Sequence, residues 1–294
     1  MPTNSPTRVA GQLLLSSRPL SWINTAFPFA AAYLLTAGVV DLALVVGTIF
    51  FLVPYNLAMY GINDVFDYES DLANPRKGGV EGAVLDRSLH RWTLLAAATT
   101  CIPFVLVLVL LGGPASWLVL AISLFAVVAY SAPGLRFKER PFLDSVTSST
   151  HFVSPAVYGL VLAGATGTPE LFALLGAFFL WGMASHAFGA VQDILPDREG
   201  GIASIATALG AAKTVRFALS AWTAAGLLML FTEWPGPLGA LLVLPYIVAV
   251  LPYRSLSDAD SARANRGWKH FLWLNFLVGF LVTMLLIAWS FLRA

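Results

Sequence analysis

Nine long apolar stretches alternate with shorter polar or Gly- and Pro-containing connections along the chain. Each stretch is close to the roughly 20 residues that cross the ~30 Å hydrocarbon core of a bilayer as a helix. Turns such as Gly112-Gly113-Pro114 end one helix and start the next. The pattern predicts an all-α fold, a polytopic transmembrane bundle of nine helices, over residues 20–38, 41–62, 93–112, 115–132, 143–163, 170–190, 213–232, 237–253 and 269–292.

The composition agrees with a chain embedded in lipid. Of the 294 residues, 58% are hydrophobic and 11% are charged, and the mean hydropathy is +0.77, whereas about 25% of the residues in a soluble domain are charged. Helices that thread a bilayer in succession form a single bundle, so we expect one transmembrane domain over residues 1–294. A net charge of +1, with the basic residues scattered, predicts no nucleic-acid partner.

The basic residues lie on alternate connections, and this distribution predicts the orientation. Apart from Arg293, every Lys and Arg lies in the N-terminal segment or in or beside the connections 63–92, 133–142, 191–212 and 254–268. The positive-inside rule then predicts a cytoplasmic N-terminus, cytoplasmic placement of these connections and a C-terminus outside, in the inner (plasma) membrane. The first apolar stretch has no obvious small-residue cleavage site after Arg18, which predicts a retained helix and not a signal peptide.

A polar motif ends the second apolar stretch, in the run Asn63-Asp-Val-Phe-Asp67-Tyr-Glu-Ser-Asp71. If the helix continues through this run, Asn63, Asp67 and Asp71 follow one face, each about 40° round from the last. A lone carboxylate at such a place is more often a solvated helix end. A set of three oxygen ligands instead predicts a binding site.

A second carboxylate pair, Asp193 and Asp197, follows the sixth apolar stretch, again at the predicted cytoplasmic end of a helix. Four predicted helices separate the two motifs, which suggests a duplicated four-helix unit that brings the motifs face to face across the bundle. Pro196 lies between the two carboxylates, so we expect the helix to be loosened there. The repetition favours a binding site over two chance helix ends.

Gathered carboxylates need a compensating cation, and hard oxygen ligands favour Mg²⁺, which typically bridges carboxylates to substrate phosphates. Nearby basic side chains would neutralise the remaining phosphate charge. Their placement has an equally good explanation in membrane topology and contact with lipid headgroups. The motifs therefore predict a magnesium–diphosphate site, with candidate basic ligands at Arg76, Lys77, Arg136, Lys138, Arg140 and Arg198.

Polar side chains inside the apolar stretches are a further set of candidates, because polarity within a membrane is costly and often functional. They are Asn24, Asn56, His151 and His186. His186 precedes Asp193 by seven residues, or two helical turns, and so is a candidate to line a cavity beneath the diphosphate. A hydrogen bond between two membrane helices explains a histidine there equally well.

These motifs resemble those of the intramembrane aromatic-prenyltransferase superfamily typified by the ubiquinone-pathway enzyme. Asn63, Asp67 and Asp71 fit its Asn-x-x-x-Asp-x-x-x-Asp motif, and Asp193 and Asp197 fit its Asp-x-x-x-Asp motif. The resemblance, which covers nearly the whole chain, implies a nine-helix bundle that binds Mg²⁺ and a prenyl diphosphate. It also extends to Arg18-Pro19 at the start of the first helix and to the segment from Tyr130 to Lys138, where it implies a diphosphate or leaving-group role for Tyr130 and Lys138.

Within the superfamily, the chain is most similar to actinobacterial lycopene elongases of fifty-carbon carotenoid synthesis. This likeness implies that Mg²⁺-assisted ionisation of dimethylallyl diphosphate gives an allylic cation, which lycopene, a lipophilic acceptor, attacks. An aromatic quinone precursor or a tetrapyrrole is the alternative acceptor, and a cation-coupled transporter is the alternative of another class. The similar stretches begin at Ser17-Arg-Pro-Leu-Ser-Trp22-Ile-Asn24, Pro54-Tyr-Asn56, Asn74-Pro-Arg-Lys-Gly-Gly and Thr147-Ser-Ser-Thr-His151.

Overall fold

The computed structural model describes residues 6–73 and 85–293, and within these ranges every regular element is helical. Short 3-10 helices lie at Pro19–Ser21, Arg87–Leu89, Phe137–Glu139, Gly236–Val243, Leu251–Tyr253 and Asp258–Arg263. The α-helices are α1 Pro6–Ser16, α2 Ile23–Ala37, α3 Leu42–Leu52, α4 Pro54–Phe66, α5 Tyr68–Ala73, α6 His90–Leu111, α7 Pro114–Ser131, α8 Leu143–Leu162, α9 Pro169–Val191, α10 Ile194–Glu199, α11 Ile205–Leu209, α12 Ala211–Met229, α13 Leu244–Val250 and α14 Ala264–Arg293.

A helical segment lies in each of the nine predicted stretches, so the all-α prediction is confirmed for the described residues. The second stretch is made of α3 and α4, which meet where Pro54 starts a new helix. Three of the predicted stretches, 20–38, 143–163 and 213–232, contain shorter or more polar helices. These are α2, which has 15 residues, and α8 and α12, which carry more polar residues. Within residues 6–73 and 85–293, six runs are long and apolar enough to cross a membrane, namely Leu42–Phe66, Arg87–Leu111, Pro114–Ser131, Pro169–Val191, Gly236–Tyr253 and Asp258–Arg293.

The first of two compact units consists of Met1–Phe137 and Thr150–Ala165. Its core is an aromatic cluster in which neighbouring ring centroids are 4.9–5.9 Å apart. α8 packs closely on α2, because a Cβ atom at Gly159 would lie only 2.7 Å from the backbone oxygen of Phe29. Such small residues let membrane helices approach each other. The fully buried members of the cluster are Phe29, Phe50, Phe51, Tyr55 and Tyr158.

The second unit consists of Lys138–Ser149 and Thr166–Ala294. Trp222 of α12 stacks on Tyr246 of α13 with 5.6 Å between ring centroids, and Tyr246 lies 5.4 Å from Phe271 of α14. The first two turns of α8 belong to this unit and are joined to α9 by a hydrogen bond of 2.7 Å from Ser149 Oγ to the backbone oxygen of Phe179. That contact fixes the first turns of α8 beside α9.

Candidate active site

The first motif lies at a break between two helices. α4 ends at Phe66, Asp67 occupies the joint with φ −100° and ψ 2°, and α5 begins at Tyr68. These angles fall in the bridge region of backbone space, where many active-site residues sit. The single unbroken helix that would align Asn63, Asp67 and Asp71 on one face is therefore absent from this stretch. Asp71 belongs to α5, and its side chain lies outside the described part of the structure.

The Asp67 carboxylate is 5% exposed and has both a neutral and a charged neighbour. The Asn63 side-chain amide donates to Asp67 Oδ2 at 2.5 Å and to Ser131 Oγ at 2.9 Å. Arg136 Nη2 lies 3.9 Å from Asp67 Oδ1, and the Arg136 backbone has a positive φ of 40°, which is rare for a residue other than glycine. Asn63, Asp67 and Arg136, predicted from separate stretches of sequence, therefore lie together in the first unit.

A neighbouring carboxylate, Asp64, was not singled out from the sequence. It is buried, and it accepts hydrogen bonds from Ser16 Oγ at 2.8 Å and from Arg18 Nη2 at 2.9 Å. The Arg18 guanidinium also lies over the ring of Tyr60, 4.4 Å from the centroid. The predicted substrate ligand Arg18 therefore pairs with Asp64. Adjacent helical residues point about 100° apart, so Asp64 faces this pair while Asn63 faces Asp67.

The second motif also follows a helix break. α9 ends at Val191, Asp193 has φ −97° and ψ 0°, and α10 begins at Ile194. The prediction that Pro196 loosens the helix between Asp193 and Asp197 is wrong, because the Asp197 backbone amide bonds to the Asp193 oxygen at 2.9 Å. Pro196 is the third residue of α10, where the missing N–H would have no partner within the helix. The two carboxylates stay one helical turn apart.

Arg198 holds the second motif against later parts of the same unit. Its Nη1 bonds to Asp258 Oδ2 at 2.8 Å, and its Nη2 bonds to the Thr207 backbone oxygen at 2.9 Å. Asp258 Oδ1 in turn accepts from the backbone amide of Ala211 at 2.7 Å. The guanidinium thus ties α10 to α11 and to the start of α12. Its predicted role as a diphosphate ligand stays a prediction beside this structural one.

Tyr130, Asn56 and Asn24 were also predicted as site residues, and each has different neighbours. The Tyr130 ring packs edge-on against His151, with 5.2 Å between centroids. The buried Asn56 amide donates to the backbone oxygens of Phe51 at 2.8 Å and Leu52 at 3.1 Å, at the junction of α3 and α4. Asn56 therefore satisfies carbonyl groups at a helix break. Asn24 is exposed at the start of α2.

The remaining basic candidates lie in connections. Lys138 is half-buried in the 3-10 turn Phe137–Glu139, and Arg140 is exposed just after it. Arg76 and Lys77 fall outside the described residues. Their predicted contacts with a diphosphate stay predictions.

His186 makes a contact between helices in the second unit. Its Nδ1 lies 3.1 Å from Ser145 Oγ of α8, which agrees with the alternative of a hydrogen bond between helices. Asp144, next to Ser145, is fully buried and was also missed from the sequence. It accepts from the backbone amides of Ser145 and Ile205, each at 2.7 Å. The sequence signal was a carboxylate just inside a predicted membrane stretch.

The donor atoms of the two motifs fit magnesium. Among the described residues, no group of three or more His, Cys, Asp or Glu side chains is placed to hold a metal ion. Mg²⁺ does not require such a group, because it usually takes one or two protein carboxylates and completes its octahedron with water and substrate phosphates. Asp67, with an amide oxygen available from Asn63, and the pair Asp193 and Asp197 supply hard oxygen ligands of this kind.

The chain matches known proteins over most of its length. Residues 25–277 match the sequence model described as UbiA prenyltransferase family. The chain is 60% identical to the C(50) beta-cyclic carotenoids biosynthesis protein LbtBC of Dietzia sp. (strain CQ4) over 95% of this chain and 64% of that protein, so it spans under two thirds of that relative. It is 52% identical to the lycopene elongase/hydratase of Corynebacterium glutamicum over 94% of this chain and 96% of that protein.

Solved structures share the fold. A UbiA homolog from Archaeoglobus fulgidus, bound to DMAPP and Mg²⁺, superposes with a TM-score of 0.65 at 18% identity, covering 91% of this chain and 98% of that one. The apo structure of a UbiA homolog from Aeropyrum pernix K1 gives a TM-score of 0.58 at 19% identity, covering 95% and 99%. At these identities the likeness establishes the all-helical fold.

Proposed function

We propose that this chain, which belongs to the UbiA prenyltransferase family, transfers a dimethylallyl group from its diphosphate to each end of lycopene. The observation that carries the choice of acceptor is the 52% identity, over almost the full length of both chains, to a lycopene elongase/hydratase. The Dietzia relative, which acts in C50 carotenoid synthesis, supports the same product size, because two five-carbon additions convert a forty-carbon acceptor into a fifty-carbon one.

The chain is an integral membrane prenyltransferase built from helices. We further propose that nine helices cross the inner (plasma) membrane, with the N-terminus and both Asp motifs on the cytoplasmic side and the C-terminus outside. The alternation of basic connections supports this orientation. The family match over residues 25–277 extends across both compact units, which supports one functional domain over 1–294.

In this proposal the motif residues hold magnesium and the diphosphate. Asn63, Asp67 and Asp71 would bind magnesium in the first unit, and Asp193 and Asp197 would bind magnesium in the second. Magnesium supplies positive charge that stabilises the diphosphate leaving group. The oxygen ligands of both motifs are of the kind that Mg²⁺ prefers. The UbiA homolog from A. fulgidus has DMAPP and Mg²⁺ bound. The Arg136 guanidinium, close to Asp67 and one-third exposed, would contact phosphate oxygens. The further proposed contacts are Arg76, Lys77, Tyr130, Lys138 and Arg198.

Catalysis then follows from charge and from exclusion of water. The allylic carbon–oxygen bond of the donor breaks, and the terminal double bond of lycopene attacks the allylic cation. The new carbon–carbon bond leaves a tertiary cation on the acceptor, which must lose a proton or take up water. The apolar helices keep water away from the first cation until coupling. Lycopene has no heteroatom, so its binding depends on shape and apolar contact.

A competition between acceptors tests the proposal. Membranes containing the protein are supplied with dimethylallyl diphosphate, magnesium, lycopene and 4-hydroxybenzoate. The products are separated by chromatography and identified by mass spectrometry. We expect lycopene to gain first one and then a second five-carbon unit, and the aromatic acid to stay unchanged. Asp193→Asn is the matched inactive control. Prenylation of the aromatic acid, with dispersed lycopene untouched, would replace the lycopene assignment with the quinone-pathway alternative.

A further inference from the structure

The helix break that carries Asp193 is held by the side chain of the preceding residue. In a continuous α-helix the Asp193 backbone amide would bond to the Gly189 oxygen, four residues back. It bonds instead to the Ala190 oxygen at 3.1 Å, and the Gly189 oxygen accepts from Gln192 Nε2 at 3.0 Å. The Gln192 side chain, which is 6% exposed, thus replaces the helical hydrogen bond that the break removes.

Asn265, at the start of α14, holds the Gln192 side chain in turn. Its Nδ2 donates to Gln192 Oε1 at 2.6 Å, so the glutamine amide donates at one end and accepts at the other. Because both ends of the amide have a partner, one orientation of the side chain is favoured over the others. Gln192 and Asn265 together form the amide pair of the second motif.

The first turns of α14 pack closely on the last turn of α9. A Cβ atom at Gly189 would lie 3.0 Å from the Trp268 ring, and one at Gly267 would lie 2.9 Å from the Phe188 ring. Asn265 belongs to the same turns of α14, so this packing fixes the backbone from which its side chain reaches the glutamine amide.

The two carboxylate motifs are supported in different ways. In the first motif, Asn63 stands four residues before Asp67 and bonds to the carboxylate itself. The matching position before Asp193 is Gly189, which has no side chain. Support for the second motif must therefore come from other residues of its unit, and the amide pair lies directly at the break.

From this arrangement, and resting on the proposed function, we infer that Gln192 and Asn265 are positioning residues that keep the break in the conformation that presents Asp193 to magnesium. Asp193 has φ −97° and ψ 0°, in the sparsely populated bridge region, which persists only where the surroundings impose it. Without the amide pair the break would relax toward α-helical angles and turn the carboxylate away. The alternative is that the pair only joins α9 to α14, as polar side chains join membrane helices.

Asn265→Ala tests the inference, and α14 itself supplies a matched control. Ten residues further along the helix, Asn275 Oδ1 accepts from Tyr246 Oη at 2.9 Å, so Asn275→Ala also removes one hydrogen bond between α14 and another helix of the unit. Each variant should lower Tm by about 2–4 °C, the scale of one neutral hydrogen bond in a chain of this size. A purely structural role would thus give the two variants the same properties.

The distinguishing measurement is binding of the donor without turnover. Dimethylallyl thiolodiphosphate, an analogue that ionises far more slowly than the diphosphate, is titrated by calorimetry at a series of magnesium concentrations. Asn265→Ala should raise the magnesium concentration for half-maximal binding about tenfold, at the lower end of the range for residues that orient a metal ligand, and Asn275→Ala should leave it within about twofold of wild type. In the metal-free protein, hydrogen exchange of the peptide spanning the break should be about threefold faster in Asn265→Ala than in Asn275→Ala.

A double variant tests whether Asn265 acts through Gln192. Gln192→Met removes both hydrogen bonds of the amide and keeps a side chain of similar length. It should raise the magnesium requirement at least as much as Asn265→Ala does. Adding Asn265→Ala to Gln192→Met should give no further increase, because the bond between the two residues is already lost. If Gln192→Met does not fold, Asn265→Ala and its Asn275→Ala control decide the question.

Two results would overturn the inference. One is an equal magnesium requirement in Asn265→Ala and Asn275→Ala, which would leave the amide pair with a structural role only. The other is a further increase in the double variant, because Asn265 would then act independently of Gln192. A wild type that binds the analogue with magnesium but leaves lycopene unmodified would instead refute the proposed acceptor. A wild type without magnesium-dependent binding would refute the proposed metal site, and this inference with it.

Discussion

Asp64 in α4 and Asp67 at the end of that helix are expected to have different roles. Asp64 should contribute to stability and Asp67 to catalysis. Asp64 is buried against Ser16 and Arg18, so Asp64→Asn keeps an acceptor oxygen but loses the ion pair. A hydrogen bond to a charged group contributes about 1.5–3 kcal/mol. Arg18 retains 22% exposure and is partly rehydrated when unpaired, so the expected loss of stability is about 2 kcal/mol.

Asp67→Asn is expected to show the opposite pattern. Asp67→Asn keeps an oxygen that can accept from the Asn63 amide, and the Arg136 nitrogen stands 3.9 Å from the carboxylate, too far for a strong hydrogen bond. Neutralising Asp67 should therefore change stability by less than about 1 kcal/mol. Turnover should fall about 10²–10³-fold, the scale of losing one group that stabilises developing charge in a transition state. The magnesium concentration for half-maximal activity should rise at the same time.

The assay uses purified protein in detergent. Thermal unfolding is followed by the fluorescence of the 9 Trp residues, and diphosphate release is followed over a magnesium titration. Asp64→Asn should lower Tm by about 4–8 °C, from roughly 2–4 °C per kcal/mol for a chain of this size, with turnover within about threefold of wild type. Normal turnover in Asp67→Asn, or a Tm unchanged in Asp64→Asn, would show that the roles of the two carboxylates have been assigned wrongly.

Three further predictions concern packing, motif support and topology. Gly159→Ala should cost roughly 2–3 kcal/mol in thermal unfolding, because the new Cβ meets the rigid backbone oxygen of Phe29, whereas Gly279→Ala, with open space around it, should be near neutral. Arg198→Lys cannot keep both guanidinium contacts and should lower turnover about 10–100-fold with an increased magnesium requirement, measured by diphosphate release. A reporter fused after Arg293 should be labelled from outside the cell, and cytoplasmic labelling would invert the proposed topology.

Apolar length alone predicted most of the helices. α6, α7 and α9 agree with the predicted stretches 93–112, 115–132 and 170–190 to within a few residues. In these regions Gly or Pro marks at least one helix end, and the local sequence determines the boundary. The break at Asp67 has no Gly or Pro beside it. The Asp67 carboxylate contacts Asn63 of the same helix and Arg136, which lies far along the chain, so only the second of these contacts is tertiary.

The candidate site was visible in sequence only where a spacing recurred. Asp67 and Asp193 stood out because each begins a carboxylate pair with the same four-residue spacing. Asp64 and Asp144 have no such spacing, and their partners lie 46–61 residues away, a distance that no local pattern encodes. For Asp144 the one local signal was its position just inside a predicted membrane stretch. Their importance follows from burial, because a buried carboxylate must find donors somewhere in the fold.

The two motifs share a backbone feature that their sequences do not predict. Asp67 and Asp193 have nearly the same dihedral angles, φ −100° and ψ 2° against φ −97° and ψ 0°, and each links a long helix to a six-residue one. A straight helix would give every residue α-helical angles and would leave each carboxylate on a helix face. The joint instead places the carboxylate where one helix stops, and the second carboxylate of the pair lies on the next helix. If Asp67 and Asp193 both bind magnesium, as we propose, the recurrence of one conformation at the first carboxylate of both motifs is what two copies of one ancestral unit would retain.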